Sequence, residues 1–155
     1  ARESFFLVKR LTGDASPSKN VEYWKPETDE TLIVYKNELA NALASGNQDY
    51  RVVDVRKVDD YLGKNPALPK RPDIGAVNIP WTHFIDDKGL PNRDLAARLA
   101  SIGIGKDKRV VLISEEGVSS SLATQVLREL GFKRAGNFSG GFKEMFRGTK
   151  TKSHK

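Results

Sequence analysis

Short apolar runs rich in β-branched residues alternate with helical patterns from about residue 50 onward, and this alternation is what most restricts the fold. "YRVVDVR" (50–56), "IGAVNIP" (74–80) and "KRVVLIS" (108–114) are nearly continuous apolar runs bounded by polar or turn residues. A strand with one wet face would alternate apolar and polar residues. These runs do not, so both faces are expected to be covered. Between them lie helical patterns. In "PNRDLAARLASIGI" (91–104), Leu95, Leu99 and Ile102 are expected on one face, with Gly103 as the stop. In "VSSSLATQVLRELGF" (118–132), Val118, Leu122, Val126 and Leu130 form an i, i+4 stripe, widened by Ala123 and Leu127, with Gly131 at the end. Parallel strands need crossover connections, which such helices supply. The expected fold is an α/β, three-layer domain: a central, mainly parallel sheet flanked by helices on both faces.

The flanks read less regularly. "TLIVY" (31–35) is a short strand candidate, and "KNELANALASG" (36–46) is a helix with Leu39, Ala42 and Leu43 inward and Gly46 as stop. "KVDDYLGK" (57–64) fits one or two helical turns, and the three prolines of "KNPALPKRPD" (64–73) indicate a loop. "RAGNF" (134–138) is a last short strand. "SGGFKEMF" (139–146) starts a final helix, with Phe142 and Phe146 on one face. Residues 1–31 are read as an N-terminal extension, 32–146 as the domain and 147–155 as a basic tail.

The chain has 0 Cys, which removes disulfides, thiolate metal sites and thiol catalysis together. Its 2 His, His83 and His154, argue against a multi-histidine metal site, and no cofactor is expected. No apolar run approaches the roughly 18 residues of a membrane span. The net charge of +6 is concentrated partly at the end, where Lys143, Arg147, Lys150, Lys152 and Lys155 face Glu144 alone. Such a tail suits an acidic partner or nucleic acid, or is simply solvated. The basic character and the missing initiator Met fit a mature mitochondrial or other organellar protein, and equally a bacterial cytoplasmic one.

Chemistry is best sought at "VVLISEEGVSSSLATQVLRELGF" (110–132), a strand, a polar loop and a helix with Ser114 at the corner. A serine nucleophile needs an adjacent general base. His83 is the one candidate imidazole, with Asp54 or Asp86 to orient it. The G-x-S-x-G elbow is absent and the residue order differs from that of an α/β-hydrolase, so a serine hydrolase is disfavoured. Trp81 is expected in the core or on a partner surface.

Four segments occur in order: "VVDVR" (52–56), "GAVNIP" (75–80), the loop-bearing 110–132 and "GGF" (140–142). Together they resemble the rhodanese family of sulfurtransferase-like domains over roughly residues 32–146. The resemblance implies that the first residue of the active loop is a persulfide-forming cysteine, and the matching position here is Ser114. Glu115, Glu116, Gly117, Val118 and Ser119 then form the remainder of an anion cradle of backbone N–H groups at a helix N-terminus. The loop has the length of the sulfurtransferase branch and lacks the longer C-x5-R loop of the related phosphatases. Asp54 and Arg56 match the family's Asp-x-Arg framework pair, and Gly140 and Gly141 the tight turn near the loop. Ser119, Ser120 and Ser121 either donate into the cradle or cap helix turns. Glu115 and Glu116 either repel a small anionic donor from the rim or favour the helix N-terminus. A cradle lowers a thiol pKa from about 8.5, whereas a hydroxyl there neither ionises usefully nor carries a stable sulfane sulfur. The expectation is a domain without sulfur transfer that acts as a binding or scaffold subunit for a protein partner. The alternative is a thiosulfate or persulfide sulfurtransferase whose cysteine is replaced by Ser114 in this copy. A weaker third reading is nucleic-acid contact through the tail.

Overall fold

Five register pairs join β1 (Tyr50–Asp54) to β3 (Arg109–Ile113) in parallel, from Tyr50 opposite Arg109 to Asp54 opposite Ile113. The structure is a computed structural model and describes residues 29–147. Most of the expected N-terminal extension and nearly all of the basic tail lie outside these residues. The helices are α1 (Lys36–Ser45), α2 (Val58–Tyr61), α3 (Leu95–Ser101), α4 (Val118–Glu129) and α5 (Gly141–Met145). The remaining strands are β2 (Val77–Asn78) and β4 (Gly136–Asn137), and short 3-10 turns cover Glu30–Leu32 and Trp81–His83. All strand pairs are parallel and the sheet order is β2-β1-β3-β4.

The near-continuous apolar strands are explained by the two cores they separate. Because successive side chains in a strand point to opposite faces, Val53, Val110 and Leu112 face one core with Leu95 and Leu99 of α3 and Ala123, Val126 and Leu127 of α4. Val52, Val111 and Ile113 face the other, with Leu39 of α1 and Phe142 of α5. The three-layer α/β arrangement expected from the sequence is what the chain forms.

Several elements differ from expectation. "TLIVY" forms no strand: Asp29 caps the 3-10 turn Glu30–Leu32, and a helix starts at Lys36, so only a short extended piece remains. That piece makes a single parallel bridge, Ile33 to Asn137, at the β4 edge. "IGAVNIP" shrinks to the two residues of β2, at the other edge of the sheet. In α3, Leu95 and Leu99 are buried as expected, but Ile102 is half exposed at the helix end, and the core position passes to Ile104 beyond Gly103.

The stripe on α4 is the largest difference. Val118 is 78% exposed and Leu122 42%, whereas Ser120, Ala123, Thr124, Val126 and Leu127 are buried. An i, i+4 series advances about 40° per step around the axis, so it starts off the core at Val118 and Leu122 and reaches it only at Val126. The inward face instead contains two polar residues that hydropathy hides. Thr124 Oγ1 donates to the Ser120 carbonyl (2.8 Å), and Ser120 Oγ is bonded within the loop below it.

At the far end of β3, Arg109 ties four segments together. It bonds Glu38 of α1 (3.1 Å) and the carbonyls of Thr31 and Arg134. Tyr50 donates to the same Glu38 carboxylate at 2.8 Å. Burial raises the Glu38 pKa, but hydrogen bonds from Arg109 and Tyr50 and the Arg109 charge outweigh it, leaving the carboxyl below its ordinary 4.5. A carboxyl depressed in the fold adds stability above its unfolded value, and that stability is lost as pH falls through the folded value.

Two outcomes follow from this packing. Leu127→Ala is expected to cost about 2–5 kcal/mol by urea denaturation, and Leu122→Ala less than about 1 kcal/mol, although the sequence pattern puts both on the inward face. Glu38→Gln is expected to flatten the loss of stability as pH falls through and below the ordinary carboxyl value of 4.5, measured by the same denaturation at each pH.

Candidate functional site

β3 ends at Ile113, and the chain turns at Ser114, which is 3% exposed. Its Oγ accepts the Gly117 N–H at 2.9 Å and shares a hydrogen bond with Ser120 Oγ at 3.0 Å. The loop 114–117 thus closes on its own first side chain. Gly117 is the N-cap of α4 at φ +90°. A Cβ there would be strained and would run into the Ser139 carbonyl.

The turn before α5 presses on this loop. The N–H groups of Phe142 and Lys143 donate to the carbonyls of Ser114 (3.0 Å) and Glu115 (3.1 Å). Gly141, at φ +62°, leaves room for those two carbonyls, which a Cβ would overlap. Gly140 is packed against Glu144 in the same turn. Asn137 donates from Nδ2 to the Gly117 carbonyl at 3.3 Å.

Asp54 and Arg56 lie at the end of β1, next to β3. The Asp54 carboxylate accepts the Arg56 backbone N–H (2.9 Å) and is gripped by Nε (3.0 Å) and Nη2 (2.7 Å) of the guanidinium. The guanidinium also lies over the Phe142 ring, 4.1 Å from its centroid. Asn78 of β2 donates to the carbonyls of both residues at 3.0 Å. The Asp-x-Arg pair therefore sits between β1, β2 and the α5 residue that holds the Ser114 carbonyl.

Glu115 and Glu116 stand immediately ahead of Gly117, the N-cap of α4, whose first turn itself contains no acid. Glu115 is turned inward: Oε1 binds Arg71, and Oε2 lies 3.6 Å from Arg56 Nη1. Glu116 is exposed and pairs with Lys143 at 3.1 Å. Each carboxylate near the loop thus has a cation at hand.

Arg71 escaped the sequence reading, and Ser120 entered it only as one of three serines that either donate into the cradle or cap helix turns. Arg71 belongs to the proline-marked loop, 44 positions from Glu115, and no local pattern ties the two. Ser120 was one of three consecutive serines, and only helix phase selects it for the inside. Of the other two, Ser119 lines the cleft above Ser114 and Ser121 is exposed.

That cleft has a volume of about 560 Å³. Ser114 and Glu115 lie on it, and Val118, Leu122, Leu68 and Trp81 give it an apolar wall. The two α4 residues missing from the core are therefore the ones that face this cleft. His83 does not line it, and among the described residues no imidazole is hydrogen-bonded to Ser114. With Gly117 and Ser120 as its partners, the Ser114 hydroxyl has no general base beside it to make it a nucleophile. Among the described residues no cluster of His, Cys, Asp or Glu could hold a metal ion, and no helix is long and apolar enough to cross a membrane.

Residues 35–147 match the family model of the rhodanese-like domain. The chain belongs to the rhodanese-like domain family. It is similar to thiosulfate sulfurtransferases of Azotobacter vinelandii (32% identical over 102 residues) and Pseudomonas aeruginosa (30% over 102 residues). In each case the match covers 64% of this chain and 38% of the relative, so the chain spans well under half of the curated relatives it matches. Among solved structures, the Tum1 protein from Saccharomyces cerevisiae superposes with a TM-score of 0.65 at 17% identity, over 79% of this chain and 45% of that one. An anaerobic ergothioneine biosynthesis enzyme from Chlorobium limicola gives 0.64 at 18% identity, over 75% and 30%. These likenesses establish the fold. The family's cysteine is absent from this chain, which contains 0 Cys.

The contact between Gly117 and Ser139 can be tested directly. Gly117→Ala should destabilise the domain by about 2–4 kcal/mol, combining positive-φ strain with a backbone clash. Gly46→Ala, also at positive φ but with open space around its Cβ, should cost only about 1 kcal/mol. Urea denaturation of the two variants gives the comparison.

Proposed function

We propose that this rhodanese-like domain does not carry sulfur as a persulfide and works as a binding or scaffold module for a protein partner. One observation carries the reading. Where the family places its cysteine, Ser114 offers a buried hydroxyl already committed to the Gly117 N–H and to Ser120. The cradle bond that would favour a thiolate instead ends on a neutral oxygen. A hydroxyl attacking a sulfane sulfur must first lose its proton, and neither neighbour is a base of useful strength. The surroundings are also unsuited to a small anionic donor. Of the two arginines beside the loop, Arg71 is bonded by Glu115, and Arg56 is gripped by Asp54 and approached by Glu115. The apolar wall of Val118, Leu122, Leu68 and Trp81 fits a partner's side chains better than a hydrated anion.

The intactness of the loop supports a second reading, in which the same machinery has its nucleophile replaced. Ser114→Cys separates the two. In a functional sulfurtransferase, the restored thiolate would take the terminal sulfur of thiosulfate, releasing sulfite, and pass it to cyanide as thiocyanate. The scaffold reading expects a folded Ser114→Cys protein whose thiocyanate production stays within about tenfold of the uncatalysed rate. Turnover about a hundredfold or more above that rate would overturn it and establish a sulfurtransferase lacking only its cysteine.

A further inference from the structure

We infer that Arg56 and Arg71 form an oxyanion site of which Glu115 is the built-in occupant, so that this one carboxylate closes the cleft to small oxyanions. The inference rests on the proposed reading of the loop as closed to small sulfur donors, and it assigns that closure to a residue.

Arg56 is held before any ligand arrives. Its Nε and Nη2 are fixed on Asp54, and its plane is stacked on Phe142. Nη1 is left over. The side chain is 5% exposed, and Nη1 is buried with no hydrogen-bond acceptor. A buried guanidinium N–H without an acceptor is uncommon, because desolvation of the group is then uncompensated. The nearest carboxylate oxygen, Glu115 Oε2, stands 3.6 Å away and is itself buried without a donor. The attraction between them is Coulombic, and the distance is too long for a hydrogen bond. The other oxygen, Oε1, takes both Nε and Nη2 of Arg71. The carboxylate therefore satisfies one arginine and only approaches the other.

This is the geometry expected of an anion tethered by its own backbone. The Glu115 carbonyl is fixed by the Lys143 N–H, so the side chain cannot advance to bond both arginines well. A free oxyanion with three or four oxygens has no such tether and can bond Arg56 Nη1 and Arg71 together. Arg71 reaches the loop from the chain between α2 and β2, and Arg56 lines the cleft beside Ser114. The other charges nearby are Asp54, already gripped by Arg56, the exposed Glu116–Lys143 pair, Lys57 and Asp60 on the same cleft, and Asp73, which lines a neighbouring pocket with Arg56 and Arg71. Asp60 accepts from Asn65, and Asp73 from the Gly75 N–H. Glu115 is thus the carboxylate that stands between the two guanidiniums and a soluble anion.

The test uses the chain with Ser114 in place, so that no sulfur transfer is involved. Loop amide shifts are followed by NMR during titration with sodium sulfate and with sodium thiosulfate, at constant ionic strength held with sodium chloride. Glu115→Gln removes the charge while keeping the shape, and Glu115→Ala removes both. Both variants should bind the two oxyanions at least about tenfold more tightly than the parent. Adding Arg71→Gln to either variant should return the affinity to the parent level. The inference is overturned if neither Glu115 variant gains affinity while remaining folded by circular dichroism, or if the gain survives Arg71→Gln. The two readings fail on separate measurements: thiosulfate turnover by Ser114→Cys overturns the proposed function, whereas the oxyanion titrations with Ser114 in place decide the assignment to Glu115.

Discussion

The loop at Ser114 keeps its shape because another segment holds its backbone. Two N–H groups from the start of α5 bond the carbonyls of Ser114 and Glu115, and Gly117 and Gly141 let the two backbones approach closely enough to do so. Every other feature of the site depends on that contact. It sets the direction in which the Gly117 N–H points at Ser114 Oγ, and it places Phe142 beneath the Arg56 guanidinium. It also brings α5 against the sheet, where Phe142 joins Val52, Val111 and Ile113 in one of the two cores. The fold and the cradle are thus closed by the same few hydrogen bonds. A backbone device of this kind is indifferent to the atom at its centre, which is why it survives with an oxygen there.

The sequence was most legible where burial is uniform. "RVVLI" reads as a strand because both its faces are covered, and both are. The alternation of such runs with helices was enough to establish the layers. Legibility fell where one element serves two surroundings. On α4, Val118 and Leu122 belong to the cleft and Ala123 and Leu127 to the core, and hydropathy cannot divide them. Ser120 and Thr124 are buried because each hydroxyl has a hydrogen-bond partner, a fact invisible until the helix phase is known. "TLIVY" has strand composition, yet its neighbours cap a turn before it and start a helix just after it. Local context outweighed propensity there.

The site was legible in its backbone and only partly in its charges. Gly140 and Gly141 could be read as a tight turn, whereas Gly117 entered only as a loop position matched to the family. Asp54 and Arg56 lie two residues apart, and a strand end brings both to one place. Arg71 had no such signal. Its role comes from a loop folding back over 44 positions, and loops carry little periodic information. Without Arg71, Glu115 reads as a bare rim charge. With it, the same residue becomes part of a largely buried network that pairs its carboxylate with Arg71 and Arg56.

The Asp54–Arg56 pair shows which residues report on chemistry and which on folding. Their side chains are 1% and 5% exposed. Removing one partner from so buried a pair leaves an uncompensated charge, at a cost of about 3–5 kcal/mol. That is a large share of the roughly 5–15 kcal/mol by which domains of this size are stable. Selection for folding alone would therefore retain Asp54 and Arg56, whether or not the loop reacts. The same holds for Gly117 and Gly141, where any side chain meets backbone. The residues that identify the family are thus the ones least informative about its reaction. A Cys-to-Ser exchange at position 114 keeps size, burial and the Gly117 hydrogen bond, so stability exerts little pull on it. The identity of that one atom is set by chemistry, and here it is oxygen.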